Sequence, residues 1–329
     1  MKRKATGKSK KPTEKKKKKQ YKVRNWHEYN QALVNRYNIT LWIEKGIADV
    51  WREGDKIIIK RKKGAQLFYS KQAIDCLATL KELFHLTYRG IEGFGQSVFN
   101  GMLRLALPIP NYSTIDRRRK GLNVSLPTKS SGKIHVVFDS SGLKVYGEGE
   151  WKVRMHGWSK RRTWKKIHLT INPVNNDIEA MELTDNSVDD AQMVKPMLAQ
   201  IEKEIMTSAG DGAYDKDKVY AALTKRAQTI AIPPSKNAKI WYHGNRKGTK
   251  HPRDENLRRI RVVGRRRWKE EINYHQRSLA ETGMYRYKII FGDKLTSRDT
   301  KQQEIEAQIK CKILNKMAHL GMPQSYAVP

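Results

Sequence analysis

The chain has 329 residues, 38% of them hydrophobic, a formal net charge of +34 and two cysteines, Cys76 and Cys311. That length supports a large core and two or three domains. The cysteines give neither a disulfide framework nor metal-ligand spacing, and no stretch nears the roughly 20 apolar residues of a membrane span. The N-terminus lacks the apolar segment of a signal peptide, so a cytoplasmic protein is expected.

Residues 1–20 hold eleven Lys or Arg against one acid, Glu14, and nothing apolar to bury. They read as a disordered basic arm. Most of the surplus charge therefore lies in the body, which indicates a polyanionic partner, nucleic acid ahead of an anionic membrane surface. Residues 21–66 scatter Trp26, Tyr29, Tyr37, Trp42 and Trp51 among short helices or turns, then IIIKRKKG reads as a strand into a basic loop. Ser70 is a candidate N-cap for a helix with Ala73, Leu77, Leu80 and Phe84 at helical spacing. A second helix is predicted over 91–105, ended by Pro108 and Pro110, and a third over 111–120 with Ser113 as cap. The third presents Arg117, Arg118 and Arg119 together. Three short helices with a basic third make residues 21–125 a candidate DNA-binding region of helix-turn-helix type; an ordinary helical domain with a charged end is the alternative.

From Gly132 the pattern changes to strands. Ile134–Phe138 is an apolar run ending at Asp139, with Leu143–Tyr146 extended beyond a Ser140-Ser141-Gly142 break. Ile167, Leu169 and Ile171 alternate with polar residues as in a half-buried strand, and 178–183 returns as a hairpin. Ser187 is a candidate cap for the next helix. Strand 205–209 ends at Gly210-Asp211-Gly212, Asp215 is placed as a helix cap, and 229–232 is a last short strand stopped by Pro233-Pro234. Residues 233–267 read as a basic insertion or loop, and 300–320 as an amphipathic helix. Two aspartates thus stand at strand ends of a mixed α/β sheet, where open sheets place ligands. Asp185, Asp189, Asp190 and Asp217 read as helix-start acids.

In the late segment YHQRSLAETGMYRYK, residues 274–288, Tyr274, Arg277, Glu281 and Lys288 fall within an arc of about 60° at helical spacing. A carboxylate beside a phenol, a guanidinium and an ammonium can hold a metal ion and grip the phosphate next to it; a solvated face with chance order is the bland reading. Between 151 and 166, Trp151, Trp158 and Trp164 interleave with Arg154, Lys160, Arg161, Arg162, Lys165 and Lys166. That mixture suits a DNA path or simply anchors the hairpin. The histidines, His156 and His168 among them, receive no role.

Three motifs then resemble the DDE transposases of bacterial insertion sequences, closest to the insertion-sequence-five family and its 903-like subgroup. They are VVFDSSGLKVYGEGEWKVR at 136–154, GDGAYD at 210–215, and Y-x2-R-x3-E-x6-K, filled by Tyr274, Arg277, Glu281 and Lys288. PNYSTIDRRRK and NKMAHLGMP also look like family sequence, and the likeness covers roughly residues 65–325. The resemblance implies a ribonuclease-H-like catalytic domain over 130–295, followed by a C-terminal helix and tail at 296–329. It implies that Asp139, Asp211 and Glu281 bind two Mg²⁺, with Mn²⁺ able to substitute, and that Tyr274, Arg277 and Lys288 contact phosphates near the cleaved strand. The 69 residues between Asp211 and Glu281 leave no room for a large β-rich insertion. The implied activity is metal-dependent cutting at terminal inverted repeats and 3′-OH transfer into target DNA, by a homodimer on paired ends, in the bacterial nucleoid. A non-catalytic DNA-binding regulator derived from a transposase, or a ribonuclease-H-like nuclease, are the rivals.

Overall fold

The structure is a computed structural model and describes residues 20–53, 68–145, 164–242 and 250–328. Strand β1 (Gln20–Val23) leads into α1 (Trp26–Asn35). Trp42 and Trp51 then turn inward, each indole N–H finding a carbonyl, Arg36 O at 2.9 Å and Pro108 O at 2.7 Å. Helix α2 (Lys71–Leu83) begins where the Ser70 hydroxyl accepts from Ala73 N–H, as the sequence predicts. Its successor is not one helix over 91–105. α3 (Tyr88–Gly95), capped by Thr87, passes into a π-helical stretch Gln96–Met102. α4 (Tyr112–Arg119) is capped by Asn111, whose side chain accepts from Ser113 N–H; Ser113 is inside the helix and is not its cap.

A five-stranded sheet follows. β2 (Ile134–Lys144) runs unbroken through Ser140-Ser141-Gly142, because Gly142 lets the Trp164 ring lie where a Cβ would be 3.2 Å from it. β3 (Trp164–Ile171) and β4 (Ile178–Asp185) form the antiparallel hairpin. α5 (Asp190–Ala199) is capped by Asp189 rather than Ser187. β5 (Ile205–Ala209) pairs parallel to β2, and α6 (Asp217–Leu223) leads to β6 (Ala227–Ala231), parallel to β5. The order β4-β3-β2-β5-β6 gives a mixed sheet of ribonuclease-H-like topology. β3 is buried on both faces, not half-buried. Ile167, Leu169 and Ile171 enter one apolar cluster, while on the other face His168 meets the Thr184 hydroxyl and Thr170 the Met197 sulfur. The alternation in its sequence sorts apolar from polar rather than inside from outside, as happens where helices cover both faces.

The predicted basic insertion, 233–267, is helical from Pro252 onward. α7 (Pro252–Glu271) opens with Pro252 in its first turn and Asp254 and Glu255 close behind, and it is kinked at Gly264, whose φ is 81°. A 3-10 turn, Tyr274–Arg277, leads into α8 (Ser278–Phe291). α9 (Thr300–Leu320) is not amphipathic against solvent. Polar residues Gln303, Glu306, Lys310 and Asn315 are buried with its apolar ones. Asn315 satisfies both the N–H and C=O of Ile178, and Glu306 accepts from Thr296 and Ser297 N–H and from Lys310. One apolar cluster runs from α2, α3 and α4 through α9 and α8 to the sheet; a second lies between the sheet and α5 and α6. β7 (Ser325–Val328) pairs antiparallel with β1. Among the described residues no helix is long and apolar enough to cross a membrane.

Candidate active site

β2 and β5 are parallel neighbours with Val137 opposite Ala209. Asp139 and Asp211 each stand two residues beyond that pair, so the register brings them to one place. β2 continues past Asp139, which is therefore within the strand, whereas Asp211 follows the end of β5. Asp211 accepts from Ala213 N–H at 2.8 Å and caps the turn Gly212–Tyr214. A side chain at Gly210 would meet the Tyr214 ring at 2.9 Å, so this turn needs glycine.

The third carboxylate arrives on α8. A Cβ on Gly283 would come within 2.4 Å of the Ile171 side chain, which shows how closely α8 lies on β3. The segment is tied to the sheet at both ends. The Tyr274 hydroxyl donates to Gly210 O at 3.3 Å, and backbone bonds link Lys144 with Asp293 and Leu295 at 2.7 Å each. The four motif residues do not share one α-helical stripe. Tyr274 and Arg277 belong to the 3-10 turn, entered through Asn273 at φ 52°, and Glu281 and Lys288 to α8. The tighter turn eclipses positions three apart and aims Tyr274 at the Asp211 loop. Arg277 forms an ion pair with Glu281, which is otherwise solvent-exposed, and Lys288 lies half-buried two turns on.

The charges act on one another. Burial pushes the Asp139 carboxyl up to about 6; the Ser140 backbone bond and Arg277 oppose this, and Asp211 and Glu281 add to it. Burial also raises the Tyr274 phenol, with Arg277 opposing and Asp211 and Glu281 adding. The three carboxylates have Arg277 nearest them, with Arg265 and the Lys269 ammonium on the Tyr274 side. An all-oxygen donor set of this kind fits a hard divalent cation. The arrangement is not closed around a point, however. Among the described residues no three His, Cys, Asp or Glu side chains stand close enough to hold an ion, and Glu281 faces Arg277 instead.

The predicted DNA-contact residues fare differently. Arg117 is exposed. Arg118 is half-buried, donating to Tyr69 O and lying 3.7 Å from Glu53. Arg119 is fully buried, 3.1 Å from Glu82 and from the Tyr88 hydroxyl, so α4 does not present three arginines to a ligand. Trp164 is half-buried under the Lys144 ammonium. Arg154, Lys160, Arg161 and Arg162 lie outside the described residues, as do Trp151, Trp158, His156, IIIKRKKG and residues 1–19. Asp189 pairs with Lys216 and Lys218, and Asp190 with Lys166, beside buried His168.

Asp215 is no helix cap. It receives Arg253 of α7 at 2.8 and 3.3 Å, and Arg253 also stacks on Trp241 at 3.8 Å. This buried pair fastens α7 to the loop that carries Asp211, and the sequence reading missed it. The signal was present in Pro252 followed by two acids, a helix start.

A family model described as "Transposase DDE domain" matches residues 130–316, more than half of the chain, and a second of the same description matches residues 34–148. Among solved structures, the chain is similar to one titled "Drosophila P element transposase strand transfer complex". The identity is 10%, the TM-score 0.28, and the match covers 64% of this chain and 44% of that one. The chain thus spans under half the length of that protein, and the likeness adds no weight to the fold. The family match is sufficient by itself: with a mixed five-stranded sheet whose register brings Asp139 and Asp211 together beneath the Glu281 helix, this chain belongs to the DDE transposases.

Proposed function

We propose that this transposase serves an insertion sequence of the insertion-sequence-five family, 903-like subgroup. In this reading it binds the terminal inverted repeats, cuts a strand at the element end and joins the 3′ hydroxyl to target DNA. The observation that carries the reading is the β2–β5 register, which sets Asp139 and Asp211 side by side in the middle of the sheet, with Glu281 and Arg277 paired on the segment packed over them.

Asp139, Asp211 and Glu281 would hold the divalent cations, Mg²⁺ or in its place Mn²⁺. When bound, such ions stabilise charge on the attacking and leaving oxygens of an in-line displacement. The chain's own residues supply the rest. Arg277 pairs with Glu281 and would grip a phosphate beside it. Tyr274, fixed to Gly210 O, holds the Asp211 turn against the 3-10 turn and presents the edge of its ring to the same phosphate. Lys288 adds a cation two turns along. In the first step a water oxygen attacks phosphorus, the P–O3′ bond breaks, and a 3′ hydroxyl and a 5′ phosphate result. In the second step that 3′ oxygen attacks a target phosphodiester and displaces the target's own 3′ oxygen. Both are displacements at phosphorus by an oxygen nucleophile, so one set of side chains serves both. The surplus of cations suits long duplexes, and two ends cut in concert suit a homodimer in the bacterial nucleoid.

The test uses labelled DNA from the ends of the element and a target plasmid, with Mg²⁺, beside Glu281→Gln and a metal-free control. Metal-dependent cutting at the end with joined product, absent in Glu281→Gln, is the expected result. Tight end binding with neither cutting nor joining would make the protein a regulator, and cutting without joining a nuclease.

A further inference from the structure

Helix α8 carries more than Glu281. Ala280, Gly283, Met284, Tyr287 and Phe291 are buried. On the open side, Tyr285 is 64% and Ile289 66% exposed. At 100° per residue from Glu281, Lys288 stands at about −20°, Tyr285 at about 40° and Ile289 at about 80°. The aromatic ring and the branched side chain therefore continue the stripe of the carboxylate and the lysine. Along the axis they lie ~6 Å and ~12 Å beyond Glu281. With a rise of 3.4 Å per base pair, those distances reach the first few nucleotides beside a phosphate held at Glu281.

Single exposed apolar residues are ordinary on protein surfaces. This pair differs in its place, flanked by Arg277 and Lys288 on a chain of net charge +34. A second copy of the same chain would bring cations against cations here, whereas DNA brings phosphates to the cations and bases to the ring. Resting on the active-site reading above, we propose that Tyr285, backed by Ile289, enters the DNA end next to the cut phosphodiester and stacks on the unpaired base, holding the end open. Aromatic stacking on a base offsets the unstacking that brings a phosphodiester to the carboxylates.

The test places 2-aminopurine on the complementary strand of an element-end duplex, opposite the base proposed to stack on Tyr285, so that the probe reports its own loss of pairing and stacking. Fluorescence is read without divalent metal, so that no cutting intervenes, and cutting is then measured with Mg²⁺. The wild type should raise the fluorescence. Tyr285→Ala should abolish the rise while binding the duplex within about threefold of the wild type and melting as it does. Its cutting should fall about tenfold or more on paired ends, in line with the worth of one stacked base. Cutting should return to near the wild-type rate on ends with two mismatched terminal pairs, and Tyr285→Phe should behave as the wild type. An undiminished rise in Tyr285→Ala overturns the proposal, and so does an equal loss of cutting on paired and mismatched ends. A smaller assembly by light scattering in Tyr285→Ala or Ile289→Ser would instead make this face a subunit contact. A wild type that opens ends without cutting them sinks the transposition reading and leaves this one standing. A wild type that cuts without opening sinks this one alone, and one that does neither sinks both.

Discussion

The protein holds two clusters of acids whose buried carboxyls shift in opposite directions. In the closed cluster, between α2, α4 and α9, Glu82 and Glu306 meet Lys81, Arg119 and Lys310. In the open one, on β2, after β5 and on α8, are Asp139, Asp211 and Glu281, and Arg277 pairs with Glu281 alone. Burial works against charge in both. At Glu306 the Lys310 ammonium and the N–H donors of the 296–297 turn prevail and hold the carboxyl down to about 2. At Asp139 burial prevails, and the carboxyl sits up at about 6. The first cluster supplies its own counter-charges and is finished. The second is unbalanced at Asp139, as the metal- and phosphate-binding role proposed for it requires.

The largest test of that contrast is Glu281→Gln. It should lower cutting by a factor of about 10³ or more while leaving the melting temperature unchanged, because the carboxylate is exposed and its loss removes charge stabilisation at the displacement. Arg119→Ala should do the reverse. It takes one of three counter-charges from buried Glu82, leaving Lys81 and Lys310, and empties the space of a fully buried side chain, at a cost of about 2–4 kcal/mol in urea unfolding.

Asp139→Asn sharpens the comparison through pH. A folded pKa above the ordinary carboxylate value means a contribution to stability that is full below about pH 4 and lost as pH rises through 6. Metal-free Asp139→Asn should therefore be more stable than the wild type at pH 8, by about 1–3 kcal/mol, and equal to it near pH 4. A loss of stability at pH 8 would contradict the unbalanced site. Glu306 should show the opposite sign. Its depressed pKa gives stability that is present above about pH 4.5 and lost as pH falls toward 2, so Glu306→Gln should flatten the acid limb of the unfolding curve. The smallest effect is at Arg117, on the same helix as Arg119 but outside the closed cluster. Arg117→Ala should leave folding untouched and reduce the log–log salt slope of DNA binding by about 0.9, the share of one phosphate.

The meeting of Asp139 and Asp211 could be read from the sequence in part, because each follows a short apolar run that forms a strand, although β2 continues past Asp139. GDGAYD follows a clear strand, and the Tyr274–Lys288 spacing carries the third acid. The fate of the arginines could not be read. Arg117, Arg118 and Arg119 are adjacent in the chain, and whether each meets solvent depends on Glu82, Tyr69 and Tyr88, dozens of residues away. α7 was hidden for a related reason. Its buried residues are Arg253, Asp254, Leu257 and Trp268, so it has no apolar stripe to detect, and a salt bridge to Asp215 holds it in place of a hydrophobic face. The polar side of β3 misled in the other direction, since alternation cannot tell water from a second layer of helices.

α9 is also the element whose position in the chain has most to say about how the molecule comes to be. It completes the core of α2, more than two hundred residues upstream, through contacts such as Lys312 with Asp75, and it backs the helix that carries Glu281. Contacts so distant along the chain make assembly slow, because loop closure must precede any reward for it. During synthesis the arginine-rich helices and all three acids emerge before the segment that packs them. The helix that carries Glu281 therefore gains its backing only after α9 has been made.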